Sequence, residues 1–211
     1  MFAYEKRLQF PVKIKHTNPD IAKLIISQYG GPDGELSASM RYLAQRYTMP
    51  VKQVGGLLTD IGVEELNHME IICSMVYQLT RDLTEEQAKT AGFDAYYIDH
   101  TKGIWPQAAA AVPFTSLEFQ SKGDALADIF EDLAAEQKAR TVYDNLLRVI
   151  EDPDVRTPLK FLRAREIVHF QRFGEALEMT KEVLNKKNIY VINPEFDKKY
   201  DKIQMPSKNG K

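Results

Sequence analysis

Two triplets of metal-binding residue types, Glu35/Glu65/His68 and Glu136/Glu166/His169, share an internal spacing of 30 and then 3 residues, and the second lies 101 positions after the first at all three points. Glu-x-x-His places its side chains one turn apart and near one face of an α-helix, so a single helix can offer both to one ion. The lone Glu preceding each motif fits one helix plus a return turn. Four helices running up and down would bring four carboxylates and two imidazoles to one level, the donor set of a dinuclear metal site. Any one Glu-x-x-His is more often a satisfied pair of core polar residues. The full set is different, because an isolated buried carboxylate would sooner take a proton than lose its water, and four around one centre also repel each other. Two divalent cations answer that charge.

The elements that must position these groups are legible in the apolar periodicity. Residues 1–18 alternate loosely around Phe10, Val12 and Ile14 and carry Pro11, as an extended arm would. A short helix is expected over about 20–29, with Asp20 near its start, until Gly30-Gly31-Pro32-Asp33-Gly34 breaks it. The first bundle helix then begins with Glu35 and ends near Tyr47. Pro50 is placed to open the second, over about 50–80, in which Leu58, Ile61, Glu65, His68, Ile72, Met75 and Leu79 alternate steps of three and four. The third, about 123–150, runs through Leu126, Ile129, Leu133, Glu136, Tyr143 and Leu147, and the fourth, about 154–186, through Leu159, Leu162, Glu166, His169 and Phe173. In each, Glu and His stand where apolar residues are due.

Asp152-Pro153-Asp154 makes a short turn between the third and fourth helices, which predicts antiparallel neighbours. About forty residues of weak periodicity separate the second and third, a length expected to line a site or pack on a neighbouring subunit. The tail from Asn185 to Lys211 is polar and Lys-rich, suited to a mobile or partner-bound segment. The predicted fold class is all-α: a ferritin-like four-helix bundle with a long crossover between helices two and three and extended N- and C-terminal arms. Its parts are an arm over 1–19, the bundle over 20–186 and a tail over 187–211.

A net charge of −2 and a pI near 6.1 give no reason to expect nucleic acid or an anionic membrane as partner. No apolar run approaches a membrane span, and the first residues mix charge with apolar side chains where a secretory signal would be continuously apolar, so an intracellular protein is expected. One cysteine, Cys73, excludes an intramolecular disulfide framework and any four-cysteine metal site. It is read as a small buried helix residue. His16 and His100 fall outside the repeats and are read as loop residues.

Carboxylate and imidazole suit manganese, iron and zinc alike, but Glu dominance without thiolate disfavours structural zinc, and a close pair of ions favours two-electron chemistry on peroxide or dioxygen. The runs Gly34-Glu35-Leu36-Ser37-Ala38-Ser39-Met40-Arg41-Tyr42, Glu64-Glu65-Leu66-Asn67-His68-Met69-Glu70-Ile71 and Arg165-Glu166-Ile167-Val168-His169-Phe170 resemble those of manganese (non-haem) catalases, in particular the short branch found in spore coats. The resemblance covers roughly residues 1–190. It implies Glu35, Glu65, His68, Glu136 and His169 as metal ligands, with Glu65 bridging the ions. It also implies that Glu166, a ligand by spacing alone, carries protons beside the bridging solvent without ligating. Tyr42 corresponds to a phenol hydrogen-bonded near the site; as a residue it reads equally as a core tyrosine with its hydroxyl paired.

The reaction so implied is dismutation of hydrogen peroxide to water and dioxygen at two manganese ions, with iron an alternative occupant. The resemblance further implies a homo-oligomer, a hexamer in most of the family, other coat proteins as partners, and residence in cytoplasm or spore coat. Two departures stand out. Ala135 occupies the place where some members carry an Arg at the substrate channel, and Gly56 replaces the acidic companion of Asp60 at an interface calcium site, so no calcium is expected. Competing readings are a di-iron ferroxidase or peroxidase of the rubrerythrin and bacterioferritin kind, here without the Cys-x-x-Cys relay, and a structural coat protein with a metal-stabilised bundle. The arms and crossover, built for packing between subunits, motivate the last.

Overall fold

The fold was analysed in a computed structural model, which describes residues 7–97 and 103–184. Among them are seven α-helices: α1 (Pro19–Ile25), α2 (Ser27–Gly30), α3 (Glu35–Gln45), α4 (Lys52–Thr80), α5 (Glu85–Thr90), α6 (Ala125–Val149) and α7 (Pro153–Val183). The strand-like pairing among the described residues is confined to two isolated bridges, Tyr97 with Ile104 and Gln107 with Pro113. Helices α3, α4, α6 and α7 form the bundle, α3 packing on α4 and α6 on α7. The fold is an all-α, ferritin-like helical bundle.

Helices α6 and α7 start where a side chain satisfies their first amide groups, whereas α3 and α4 start without a side-chain cap. Asp124 caps α6 by accepting from the amides of Leu126 and Ala127 at 3.0 and 2.9 Å. Asp152 caps α7 by accepting from Asp154 at 2.8 Å, with Pro153 at the first helical position, one residue before the expected start. Pro50 does not open α4. The residue before it, Met49, and the one after, Val51, are both extended, and the helix begins at Lys52. The single short helix expected over 20–29 is two pieces that meet at Ile26, which keeps helical angles, while the Ser27 hydroxyl turns back to the Leu24 carbonyl, 3.1 Å away.

Two close approaches set the packing. A Cβ on Gly62 would stand 2.8 Å from Leu43 Cγ, so glycine lets α4 press on α3 there, and the Ser39 hydroxyl donates to the Gly62 carbonyl at 2.7 Å. A Cβ on Gly30 would meet the backbone of Pro106 and Gln107, so the crossover lies directly on that residue. The core is split in two. One apolar cluster gathers Ile25, Ile72, Met75, Leu79, Leu146 and Leu159, the other Val54, Leu58, Ile61, Ile129, Phe173 and Ala176.

The arm folds back on its own bundle. Residues 7–18 run along α4: Gln9 N donates to Asn67 at 2.8 Å, Ile14 N to Gln78 at 2.8 Å, and Asn18 N to the Leu79 carbonyl at 2.8 Å. Val12 and Ile14 are buried, and Phe10 stacks on Phe161 of α7 with centroids 4.8 Å apart. The described part of this arm therefore packs on α4 and α7 of its own chain. The crossover is also more ordered than its weak periodicity suggested, holding α5 with a capping box between Thr84 and Gln87. The C-terminal tail and His100 lie outside the described residues; His16 is an exposed loop residue.

Candidate metal centre

All six predicted ligand-type side chains meet inside the bundle. Glu35, Glu65, His68, Glu136, Glu166 and His169 are each at most 2 % exposed. Glu35 opens α3 behind Gly34, which leaves its carboxyl at the helix N-terminus. Glu65 and His68 sit one turn apart on α4, Glu136 on α6, and Glu166 and His169 one turn apart on α7.

Glu65 is the hub. Its Oε2 lies 2.8 Å from His68 Nδ1 and its Oε1 2.6 Å from His169 Nδ1. Each imidazole also faces the glutamate of its own repeat, His68 Nδ1 at 3.7 Å from Glu35 and His169 Nδ1 at 3.6 Å from Glu136. The two rings stack, 5.4 Å between centroids and 20° between planes. Two half-sites, Glu35 with His68 and Glu136 with His169, thus share one central carboxylate. Ligand atoms of Glu65, His68, Glu166 and His169 all fall within 4.8 Å of one another.

This donor set fits cations. Glu136 Oε2 and Glu166 Oε1 are buried without a hydrogen-bond partner, and Glu65 Oε1 and His169 Nδ1 approach each other without hydrogen-bond geometry, an arrangement that bound metal ions relieve. Charge without metal follows the same logic. Burial, then Glu65, pushes the Glu35 carboxyl up to about 8. Burial, then Glu35, Glu136 and Glu65, pushes Glu166 well above the usual range. Burial also presses on Glu65, but His169 and His68 win and hold it below the usual range. Against their own burial the two imidazoles are raised, first by Glu65, so they act as the counter-charge.

Both tyrosines near the site reach across the repeat. Tyr42 on α3 donates to Glu136 on α6 at 2.5 Å, and Tyr143 on α6 donates to Glu35 on α3. Tyr42 therefore has its hydroxyl paired, on a residue of the site. Tyr143 was read only as a core position, yet it follows Tyr42 by the same 101 positions that relate the two triplets.

Two further residues carried no ligand spacing. Glu64 stands outside the imidazoles, its oxygens 3.1 Å from His169 Nε2 and 3.5 Å from His68 Nε2. Arg165 holds that carboxylate through two contacts at 2.7 and 3.2 Å, and Gln9 of the arm donates to it at 2.8 Å. Burial notwithstanding, His169, His68 and Arg165 keep Glu64 charged. A carboxylate facing both outer nitrogens favours the Nε2–H tautomers and leaves each Nδ1 free to ligate. Cys73 is half-buried, not fully so; burial pushes its thiol up to about 11, and it takes no part.

A profile of the family described as manganese containing catalase matches residues 1–208. Protein CotJC of Bacillus subtilis (strain 168) is 53% identical over 190 residues, covering 90% of this chain and 100% of its own length. A probable manganese catalase of Clostridium acetobutylicum is 34% identical over 212 residues, 99% of this chain and 92% of that one. Among solved structures, wild-type KatB, a manganese catalase from Anabaena, superposes with a TM-score of 0.76 at 29% identity, covering 85% of this chain and 80% of that one. No described helix is long and apolar enough to cross a membrane.

Proposed function

Because the chain belongs to the manganese-containing catalase family, we propose that it dismutates hydrogen peroxide to water and dioxygen at a dimanganese centre. The observation that carries this is the position of Glu65 between the Nδ1 atoms of His68 and His169, at 2.8 and 2.6 Å. Glu65 would help to hold both ions, with Glu35 and His68 holding one and Glu136 and His169 the other. When bound, a manganese pair supplies both the Lewis acidity and the two-electron change that each half of the reaction needs.

Glu166 has a different job. It occupies the repeat position of Glu65 and lies within 4.8 Å of Glu65 and both imidazoles, whereas the contacts at 2.8 and 2.6 Å are made by Glu65. Its burial among Glu35, Glu136 and Glu65 favours a protonated carboxyl, and each peroxide half-reaction moves protons. Glu166 gives a proton as one peroxide is reduced and recovers one as the next is oxidised. Tyr42 and Tyr143 fix the carboxylates of Glu136 and Glu35 and spread their negative charge over a hydroxyl. Glu64 holds the imidazole tautomers. The assembled enzyme works as a homo-oligomer, in cytoplasm or spore coat.

The test is direct. The protein is purified after growth with manganese, Mn and Fe are counted per chain, and oxygen evolved from peroxide is measured beside Glu65→Ala. Two Mn per chain with turnover abolished in the variant support the reading. Iron with oxygen consumed points to a ferroxidase, and metal without peroxide turnover to a structural role.

A further inference from the structure

Beyond Tyr42, on the side away from Glu65, the bundle buries a second polar group. Asp132 on α6 lies one turn before Glu136 and is fully buried, and among the described residues neither of its carboxylate oxygens has a hydrogen-bond partner. Gln45, one turn after Tyr42 on α3, is 1% exposed, and both ends of its amide are equally unpartnered. Arg41, 2% exposed, donates to the Phe119 and Glu118 carbonyls of the crossover at 2.8 and 2.6 Å and stands 4.0 Å from Glu131. Burial pushes the Asp132 carboxyl up; Arg41, then a side-chain contact from Gln45, pull against that. The same acid bears on Tyr42, whose hydroxyl is raised by burial, then by Glu136, then by Asp132. A polar line thus runs from Glu136 through Tyr42 to Asp132, Gln45 and Arg41, and on to the crossover turn at Ser116–Phe119, where Leu117 is largely exposed.

Four buried polar atoms without partners weaken a fold unless a small molecule supplies both donors and acceptors. The architecture does not require them. At the repeat-related positions, 101 residues away, Gln45 is matched by the buried Leu146 and Asp132 by Gly31; the Tyr143 end has no acid at the matching position, and its buried amide, Gln28, comes from α2.

We propose that Asp132 and Gln45, with Arg41 beside them, form an outer binding site for hydrogen peroxide, from which the substrate passes Tyr42 to reach the dinuclear centre. Peroxide offers two O–H donors and lone pairs on both oxygens. The Asp132 carboxyl and Gln45 carbonyl accept, the Gln45 NH2 donates, and water fills the same places between turnovers. The inference deepens the catalase reading and rests on it for the identity of the ligand.

Manganese-loaded wild type, Asp132→Leu, Asp132→Asn and Gln45→Leu are compared for metal content, for kcat and kcat/KM with peroxide, and for ordered solvent in crystals of the wild type. Asp132→Leu lowers kcat/KM about tenfold at full metal content, with a smaller fall in kcat, because binding common to ground and transition states is lost. Asp132→Asn, which keeps hydrogen-bonding atoms, recovers most of that loss. Solvent bridges Asp132 and Gln45 in the crystal. Equal falls in kcat and kcat/KM, an unchanged kcat/KM, or a dry direct Asp132–Gln45 contact would overturn the proposal. Where Asp132→Leu does not fold, Gln45→Leu carries the kinetic arm. A wild type that evolves no oxygen defeats the catalase reading instead, and the crystal arm then decides whether the site takes small polar molecules.

Discussion

Tyr42 and Tyr143 are exchanged partners: each lies seven residues beyond a glutamate of its own helix and donates its hydroxyl to the glutamate of the other's helix. The reciprocity ties α3 to α6 at the level of the metal site, the two helices that carry one lone glutamate each. It also makes the pair a matched test.

Tyr42→Phe and Tyr143→Phe are each expected to weaken manganese retention about tenfold, since each removes a hydrogen bond that orients a ligating carboxylate. Competition against a chelator measures it. Tyr42→Phe in addition lowers kcat/KM more than Tyr143→Phe does, because only Tyr42 stands beside Asp132. Equal kinetics in the two variants would contradict that asymmetry.

Glu64→Ala leaves both outer imidazole nitrogens without their carboxylate and frees Arg165 as an uncompensated charge. Metal affinity is expected to fall about 10- to 100-fold. Glu64→Gln keeps the shape and one acceptor and falls less. Dialysis against a graded chelator series, followed by metal counting, gives the order; an unchanged Glu64→Ala removes Glu64 from the centre.

The metal-free protein should lose stability as pH rises. Glu35, held up to about 8 by burial and then Glu65, keeps a proton in the fold that the unfolded chain releases near about 4.3. Its contribution is complete below the unfolded value and lost through about 8, and Glu166, also raised, acts in the same sense. His68 and His169, raised against their burial chiefly by Glu65, add stability below about 6.5 that is lost at higher pH. Glu65, lowered, gives its share throughout this range. Tm of the metal-free protein therefore falls from about pH 5 to 9, whereas bound metal displaces these protons and flattens or reverses the slope. A metal-free Tm that climbs over that interval would refute the assignment.

The arm should stabilise both fold and site. Ile14→Ala removes a side chain only 3% exposed and is expected to cost about 2–4 kcal/mol. Deleting residues 1–14 removes Gln9 from Glu64 as well, so it lowers Tm and metal retention together, whereas Ile14→Ala lowers mainly Tm. Denaturation with parallel metal counting separates the two effects.

The four long helices were legible because their apolar positions repeat every three or four residues, and the centre because Glu and His interrupt that rhythm at a fixed interval. Glu64 and Arg165 were not, since a charge next to a ligand in sequence reads as solvated until the helices are placed face to face. Tyr143 was visible through the interval yet looked like ordinary core. Thr84-x-x-Gln87 carried the signal for α5 in plain view. What covers α4 could not be read, because hydrogen bonds such as Gln9 to Glu64 join residues 55 positions apart with no periodic trace.

Glu64 and Arg165 are 101 residues apart, so they are one and the same position in the two repeats, and they touch. Residues at matching positions can meet only beside the local symmetry axis. Two identical hairpins assembled there would confront acid with acid or base with base. Joining the halves in one polypeptide lifts that restriction, and the opposite signs record a divergence that a dimer of equal hairpins could never have encoded.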